Sequence, residues 1–346
     1  MRAPFKINGQ EIVAGSNALV RIPLPGLHSE TSVHMPVHVF HGKRDGPVLF
    51  ISAALHGDEI NGVEVIRRIL SMPVIKRLKG TLLAIPIVNV FGFDSHLRYL
   101  PDRRDLNRFF PGREQGSLAA RVANIFMSEI VERSTIGIDL HTAAIHRDNL
   151  PQIRADLKDE HLNGLARSFK APVLLHSAAP EGSLRHAAGI ESVPVMVYEA
   201  GEALRFDEVA IRVAVRGILN VMKELGMLPK RTVKSSKASV ILRSSVWERA
   251  PMSGILRAQV KLGDMVHKGD ILGFISEPAD QKDKVVEASS NGIIIGRTNI
   301  PLIYEGDALF HIGRSSQTTL LEAQIGALQD EDALSTPELI EEPIIV

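Results

Sequence analysis

Short apolar runs alternate with longer amphipathic segments between about residues 36 and 225. Residues 48–55 are almost continuously apolar, which is typical of a strand buried on both faces of a sheet. Residues 61–70 follow with apolar side chains at helical spacing. Similar segments predict strands at 81–88, 136–140, 172–176 and 193–198, and helices at 118–131 and 209–225. This alternation predicts an α/β fold, with a mainly parallel mixed sheet flanked by helices.

The pattern changes near residue 230. Residues 230–239 are basic and contain serine, which predicts a linker, and short β-like runs punctuated by glycine then predict a smaller all-β domain. After Arg314 there are seven acidic residues and no lysine or arginine, which is typical of a solvated tail. We therefore predict an α/β domain with an N-terminal β extension, a β-barrel-like domain and an acidic tail, at 1–232, 233–314 and 315–346.

Composition narrows the functional classes. The 346 residues are 45% hydrophobic and 23% charged, as in soluble globular proteins. Forty basic and forty acidic residues argue against binding to nucleic acid or to an anionic membrane surface. With no apolar run long enough to span a bilayer and no signal-peptide pattern, we expect a cytoplasmic protein. Without cysteine, a metal site must use histidine and carboxylate ligands.

Two predicted strands run into metal-binding side chains. The strand at 48–55 leads into His56 and Glu59, and the strand at 136–140 leads into His141. Taken alone, His56 and Glu59 also fit an ordinary helix entry, where acidic groups favour the N-terminus. Sites in open α/β sheets, however, form beyond the carboxyl ends of the strands, so we expect these three side chains to meet. Two histidines and a carboxylate, with one position left for water, form a catalytic zinc site.

Two further acidic residues fall near the same end of the predicted sheet. Asp139 points to the same face as His141 if the strand is regular, and would then orient that imidazole from outside the metal site. Glu199 directly follows the predicted strand at 193–198. A carboxylate beside a metal site can take a proton from water and pass it to a leaving nitrogen. Taken alone, Glu199 also fits a surface residue at a strand end.

The segment 89–115 has no clear period and is too long for an ordinary connection, which is typical of a functional loop. Four arginines, Arg98, Arg103, Arg104 and Arg108, fall within eleven residues of it. A solvated charged face is the common explanation of such a run. Interleaved acidic and aromatic residues also fit a loop that holds guanidinium groups over a pocket, where they would grip a carboxylate.

Together these motifs resemble the succinylglutamate desuccinylase/aspartoacylase family, a branch of the zinc carboxypeptidase-like hydrolases. The resemblance covers most of the chain, to about residue 312. It rests on five ordered motifs: His56-x-x-Glu59, residues 89–93, Arg104-Asp105-Leu106-Asn107-Arg108-x-Phe110, Asp139-Leu140-His141-Thr142 and Glu199-x-Gly201.

This resemblance implies roles for the candidate residues. It implies one zinc ion per chain on His56, Glu59 and His141, with Glu199 as the general base. It implies that Asn107 and Arg108 bind the substrate carboxylate, and we predict Arg104 as a third substrate-binding residue. Arg98, followed by tyrosine, matches the arginine that polarises the scissile carbonyl, but its spacing to Asn107 is longer than in the family, so Arg103 and Arg104 are alternatives.

The implied activity is hydrolysis of a small anionic N-acyl amino acid by a zinc amidohydrolase, with a short acyl group such as acetyl favoured over succinyl. A zinc carboxypeptidase acting on short peptides is the alternative, and a non-catalytic binding protein with the same fold is a third possibility. The β domain resembles the one appended in this family, and also a biotinyl/lipoyl half-barrel without the modified-lysine hairpin at 277–284. We expect it to cap the active-site mouth; a homo-oligomer is compatible with this size.

Overall fold

A computed structural model describes residues 2–26, 28, 30–230, 239–279 and 283–314. The strands in these residues are β1 (Phe5–Ile7), β2 (Gln10–Ile12), β3 (Ser16–Pro23), β4 (His34–His41), β5 (Val48–Ala53), β6 (Thr81–Ile85), β7 (Ile136–Ala143), β8 (Arg147–Ala155), β9 (Val173–His176), β10 (Val195–Glu202), β11 (Val240–Leu242), β12 (Ser244–Arg249), β13 (Gly254–Ala258), β14 (Met265–Val266), β15 (Ile271–Ser276), β16 (Asp283–Glu287), β17 (Gly292–Thr298), β18 (Leu302–Ile303) and β19 (Ala308–Arg314). The helices are α1 (Asn61–Ser71), α2 (Val90–Asp94), α3 (Leu118–Glu129), α4 (Glu160–Phe169), α5 (Leu184–Ile190) and α6 (Glu208–Glu224), with short 3-10 turns at Pro73–Arg77, Leu106–Arg108 and Val131–Arg133.

One sheet organises most of the described chain. Its thirteen strands include a path in the order β3, β4, β6, β5, β7, β10, β8, β17, β19, β12. The centre of the path is parallel, because β5 pairs in parallel with β6 and β7, and β10 pairs in parallel with β7. A separate antiparallel sheet of β16, β15, β13 and β18 lies within the β domain. The parallel centre aligns the carboxyl ends of β5, β7 and β10.

Helices cover both faces of the central strands, which explains why these strands are mainly apolar. Every residue of β6 and β7 is buried. Apolar side chains of α1, α4 and α6 form the core on one face, and those of α3 and α5 belong to the core on the other. Five of the helices begin after a side chain that caps a backbone N–H group: Asn89, Ser117, Asp159, Ser183 and Asp207.

The predicted fold class is confirmed, with corrections to individual elements. The strand predicted at 48–55 ends at Ala53, and the one predicted at 193–198 runs over Val195–Glu202. The prediction therefore placed Glu199 after a strand when it lies inside one. Strand β8 was not predicted, because polar residues and Pro151 interrupt its apolar pattern.

The division into domains stays a prediction, but its two folded parts share hydrogen bonds. Strand β17 of the predicted β domain pairs with β8, with Gly296 opposite Asn149 and Thr298 opposite Arg147. Most of the predicted linker and the whole acidic tail lie outside the described residues. The hairpin region 277–284 is described only in part.

Candidate active site

A buried cluster joins three of the predicted residues at the carboxyl ends of β5 and β7. His56, Glu59 and His141 each offer a ligand atom, and these atoms lie within 4.8 Å of one another. Nδ1 of His56 lies 2.7 Å from Oε1 of Glu59, and Nδ1 of His141 lies 2.7 Å from Oε2. Their relative exposures are 3%, 1% and 5%, so water contributes little to solvating them. This group could hold a metal ion.

The turn between β5 and α1 brings His56 and Glu59 to this position. Ala54 has a φ of +47°, a conformation that is uncommon for a residue other than glycine, and it ends the strand sharply. Gly57 then packs directly on α2, since a Cβ atom there would lie 2.0 Å from the backbone carbon of Gly92. Close packing of two backbones explains the glycine in the histidine turn. Gly92 in the motif at 89–93 has a different reason, since a Cβ atom there would lie 2.6 Å from the backbone oxygen of Leu97.

Carboxylates outside the cluster hold the other nitrogen of each imidazole. Nε2 of His141 lies 2.7 Å from Oδ2 of Asp139, whose Oδ1 accepts a hydrogen bond from Ser52. Nε2 of His56 lies 3.1 Å from Oδ1 of Asp105. Such contacts fix the ring orientation and turn Nδ1 toward a metal. The predicted contact between Asp139 and His141 is present, whereas the contact of Asp105 with His56 was not predicted.

The charges in the cluster favour an additional positive charge. Burial raises the pKa of Glu59, but the imidazoles of His56 and His141 outweigh burial and hold that pKa well below its usual range. Burial lowers the pKa of both histidines, but the surrounding carboxylates outweigh it and raise both pKa values. A divalent cation would supply that positive charge, and it would displace protons from the two Nδ1 atoms.

The structure separates the three arginines proposed for the carbonyl. Arg98 reaches the cluster, with Nη1 3.1 Å from Oε1 of Glu59 and Nη2 3.1 Å from Oδ2 of Asp105. Its side chain is 26% exposed. Arg104 instead pairs with Asp102 at 3.1 Å, and its side chain is 45% exposed. Arg103 is also exposed. Of the three, Arg98 is the one in contact with a candidate metal ligand.

The two residues predicted to bind the substrate carboxylate lie on the same loop. Oδ1 of Asn107 accepts a hydrogen bond of 2.9 Å from the backbone N–H of Leu184, at the start of α5. Arg108 donates to the backbone oxygen of Asn107 at 2.7 Å, and its side chain is exposed. Asn107 therefore attaches the loop to α5, while Arg108 remains accessible to an anion.

Glu199 lies on the strand next to His141. The two residues are paired in the register of β10 and β7, so their side chains leave the same face of the sheet. Two residues of β8 hold its carboxylate: Asn149 donates to Oε2 at 3.0 Å, and Nη1 of Arg154 lies 3.4 Å from Oε1. The register therefore supports the predicted association of Glu199 with the histidine cluster.

Arg185 on α5 adds a second guanidinium group to this region. It donates to Oγ of Ser177 at 3.1 Å and to the backbone oxygen of Ala178 at 2.5 Å. Burial and the charge of Arg154 lower its pKa, whereas the charge of Glu199 raises it. Arg154 and Arg185 were not among the predicted site residues. Arg154 lies on β8, which was not predicted, and Arg185 lies on α5, whose sequence carries no distinctive motif.

None of the helices in the described part of the chain is long and apolar enough to cross a membrane. The fold, with its His-Glu-His cluster at the ends of parallel strands, is the zinc carboxypeptidase-like fold. Residues 45–225 match the catalytic domain of the succinylglutamate desuccinylase/aspartoacylase family, and the chain belongs to this family. The resemblance read from the motifs is thereby confirmed. Relatives in the family are deacylases, hydrolases that act on amide bonds.

Individual relatives are distant but cover most of the chain. The N-alpha-acetyl-L-2,4-diaminobutyric acid deacetylase of Halomonas elongata is 23% identical over 292 residues, which span 80% of this chain and 85% of that protein. The product-bound structure of the ectoine utilization protein EutE (DoeB) from Ruegeria pomeroyi is 21% identical, with a TM-score of 0.79 over 91% of this chain and 100% of its own. A succinylglutamate desuccinylase/aspartoacylase structure from Rhodobacter sphaeroides is 24% identical, with a TM-score of 0.77 over 87% of this chain and 95% of its own.

Proposed function

We propose that this protein is a zinc-dependent amidohydrolase that removes the acyl group from a small N-acyl amino acid. The observation that carries the proposal is the convergence of His56, Glu59 and His141, with Glu199 paired beside His141 on the next strand. Two histidines and one glutamate are the ligands of catalytic zinc in several hydrolases, and each imidazole here has the outer carboxylate such sites use. The bound zinc would polarise the acyl carbonyl and lower the pKa of water toward about 7.

The side chains around the cluster would perform the remaining steps. Glu199 takes a proton from the attacking water and donates it to the leaving nitrogen, as a positioned carboxylate can. Arg98, held beside Glu59, donates to the acyl oxygen as negative charge develops there. Both roles require groups that are fixed before the substrate binds, and both side chains are held by ion pairs.

The substrate would be recognised through its carboxylate. Arg108 is exposed, and its planar guanidinium can grip a carboxylate in a bidentate way. Asn107 would contribute by holding the loop against α5. Arg104 is proposed as a more distant contact of the substrate, because its guanidinium group already forms an ion pair with Asp102. The name of the Halomonas elongata deacetylase supports a short acyl group such as acetyl.

A hydrolysis screen with the purified, zinc-loaded protein tests this proposal. We would compare N-acetyl and N-succinyl derivatives of acidic, neutral and diamino amino acids, together with short peptides. Release of acetate from at least one N-acetyl amino acid, lost on chelation and restored by zinc, is the expected result. Hydrolysis of peptides alone would instead support the carboxypeptidase alternative, and no hydrolysis of any compound would refute the proposal.

A further inference from the structure

Strand β8 holds both oxygens of the Glu199 carboxylate. Asn149 donates to Oε2 at 3.0 Å, and Arg154 contacts Oε1 at 3.4 Å. A base must lie within hydrogen-bond reach of the proton that it takes, and a displacement of about 1 Å can cost about a hundredfold in rate. The orientation of Glu199 therefore depends on what fixes Asn149.

The β domain supplies the surface on which the Asn149 side chain rests. Asn149 pairs with Gly296 of β17, and Gly296 pairs with His311 of β19. A Cβ atom at Gly296 would lie 2.8 Å from Oδ1 of Asn149 and 3.3 Å from Cβ of His311. The Asn149 amide thus occupies space that any larger residue at 296 would fill.

A larger side chain at position 296 would displace Asn149 rather than His311. His311 is 5% exposed, and its ring stacks on Trp247 with centroids 4.4 Å apart and planes 7° apart. The other contact of a Cβ atom at position 296 would be Oδ1 of Asn149, which is the end of a side chain that can rotate. Gly296 does not have a positive φ, so its backbone conformation does not itself require glycine. Glycine is therefore needed at position 296 for a steric reason, because a larger residue would displace Asn149, which donates a hydrogen bond to Glu199.

We propose that Asn149 is a positioning residue for Glu199, and that Gly296 of the β domain keeps open the space that Asn149 needs. The inference rests on the proposed function, because it assumes that Glu199 acts as the base. It gives the β domain a part in catalysis that is separate from capping the active-site mouth: β17 fixes the orientation of a group on the neighbouring catalytic strand.

A double-mutant cycle tests this inference. With the N-acetyl substrate found in the screen, Asn149→Ala is expected to lower kcat about tenfold to a hundredfold and to change KM by less than about threefold. Gly296→Ala is expected to lower kcat by a similar factor. Because both changes act through one side chain, the double variant should lose no more than Asn149→Ala alone. All three variants should keep the metal content of the wild type.

Two controls separate positioning from general damage. Gly164→Ala adds the same methyl group at an exposed position of α4, where a Cβ atom meets nothing within 4 Å, and kcat should not change. Asn149→Asp keeps the size of the side chain but cannot donate, so it should lose at least as much activity as Asn149→Ala. If thermal unfolding shows that Gly296→Ala does not fold, the two Asn149 variants decide the question.

The outcomes distinguish this inference from the proposed function. Losses that multiply in the double variant, or a normal kcat in a folded Gly296→Ala variant, would overturn the role of Gly296. Normal kcat in both Asn149 variants would overturn the positioning role of Asn149. Each of these results would leave the deacylase intact. An inactive wild-type protein, or full turnover after Glu199→Ala, would instead overturn the proposed mechanism and this inference with it.

Discussion

The candidate residues at the strand ends and those on the arginine loop are held in different ways. His56, Glu59 and His141 are buried, and each polar group is already paired. Arg104 and Arg108 are exposed, and their guanidinium groups donate hydrogen bonds to residues one or two positions away. The sheet therefore fixes the candidate metal ligands without a substrate present, whereas the loop arginines keep donors available for the proposed substrate.

Arg98 belongs to the loop in sequence but to the strand ends in its contacts. Its guanidinium bridges Glu59 and Asp105, two residues that also contact His56. A loop residue can thus become part of the rigid centre when buried carboxylates hold it. Substitutions on each side of this division should therefore change different kinetic parameters.

Removing a metal ligand should have the largest effect. We expect His141→Ala to lose most of the bound zinc and to lower kcat by about a thousandfold or more, because the metal provides several kcal/mol of stabilisation to the reaction. Metal analysis and steady-state kinetics measure both losses. His161→Ala, at an exposed position of α4, is the matched control and should change neither. Full metal retention by His141→Ala would remove His141 from the ligand set.

Substitution of Glu199, the proposed base, should lower turnover without lowering the metal content. Glu199→Ala is expected to keep about one zinc per chain and to lose about a hundredfold to ten-thousandfold in kcat, the usual contribution of general base catalysis. The same metal analysis and kinetic assay measure it. Turnover near that of the wild type would exclude Glu199 as the base.

Arg98 and Arg104, two arginines of the same loop, test the division directly. Arg98→Ala should lower kcat by about a hundredfold, since it removes a donor aimed at developing charge. Arg104→Ala removes an exposed ion pair and should change kcat by less than about threefold. Comparable kcat values in the two variants would show that contact with Glu59 does not mark the polarising arginine.

An effect on KM, with little effect on kcat, is expected at Arg108, where we propose that the loop binds the substrate. Arg108→Lys keeps the charge but loses the planar fork, so KM should rise about tenfold while kcat changes little. Titration of initial rates against substrate concentration separates the two parameters. A fall in kcat at unchanged KM would place Arg108 with the rigid centre instead.

The meeting of His56, Glu59 and His141 could be predicted from the sequence because a simple rule connects the three residues. Parallel buried strands end at one side of a sheet, so His56 and His141 were expected to meet although they are 85 positions apart in the chain. Glu199 was placed correctly near that side, although its strand continues past it to Glu202. The error in this strand boundary did not change the predicted position of Glu199, because the order of the strands in the sheet decides which residues lie close together.

The contacts around the cluster could not be predicted in the same way. Asp105 reaches His56 because the loop docks on α5, with Phe110 donating to Gly182 and Asn107 accepting from Leu184. The two contacts with Gly182 and Leu184 join segments more than seventy residues apart, and they correspond to no periodic pattern in the sequence. The residues of β8 that hold Glu199 escaped prediction for another reason: the strand is polar where it meets the site.

The pairing of β17 with β8 also bears on how the chain can be divided. Residues 147–149 of β8 pair with β17 on one side, and Asn149 also pairs with Gly201 of β10 on the other. A shortened protein that ends near residue 230 would leave the backbone groups of 147–149 open on the β17 side, directly beside Glu199. Unpaired strands of this kind recruit strands from other molecules. The α/β part alone should therefore tend to aggregate, and the β domain protects the solubility of the unit to which it is attached.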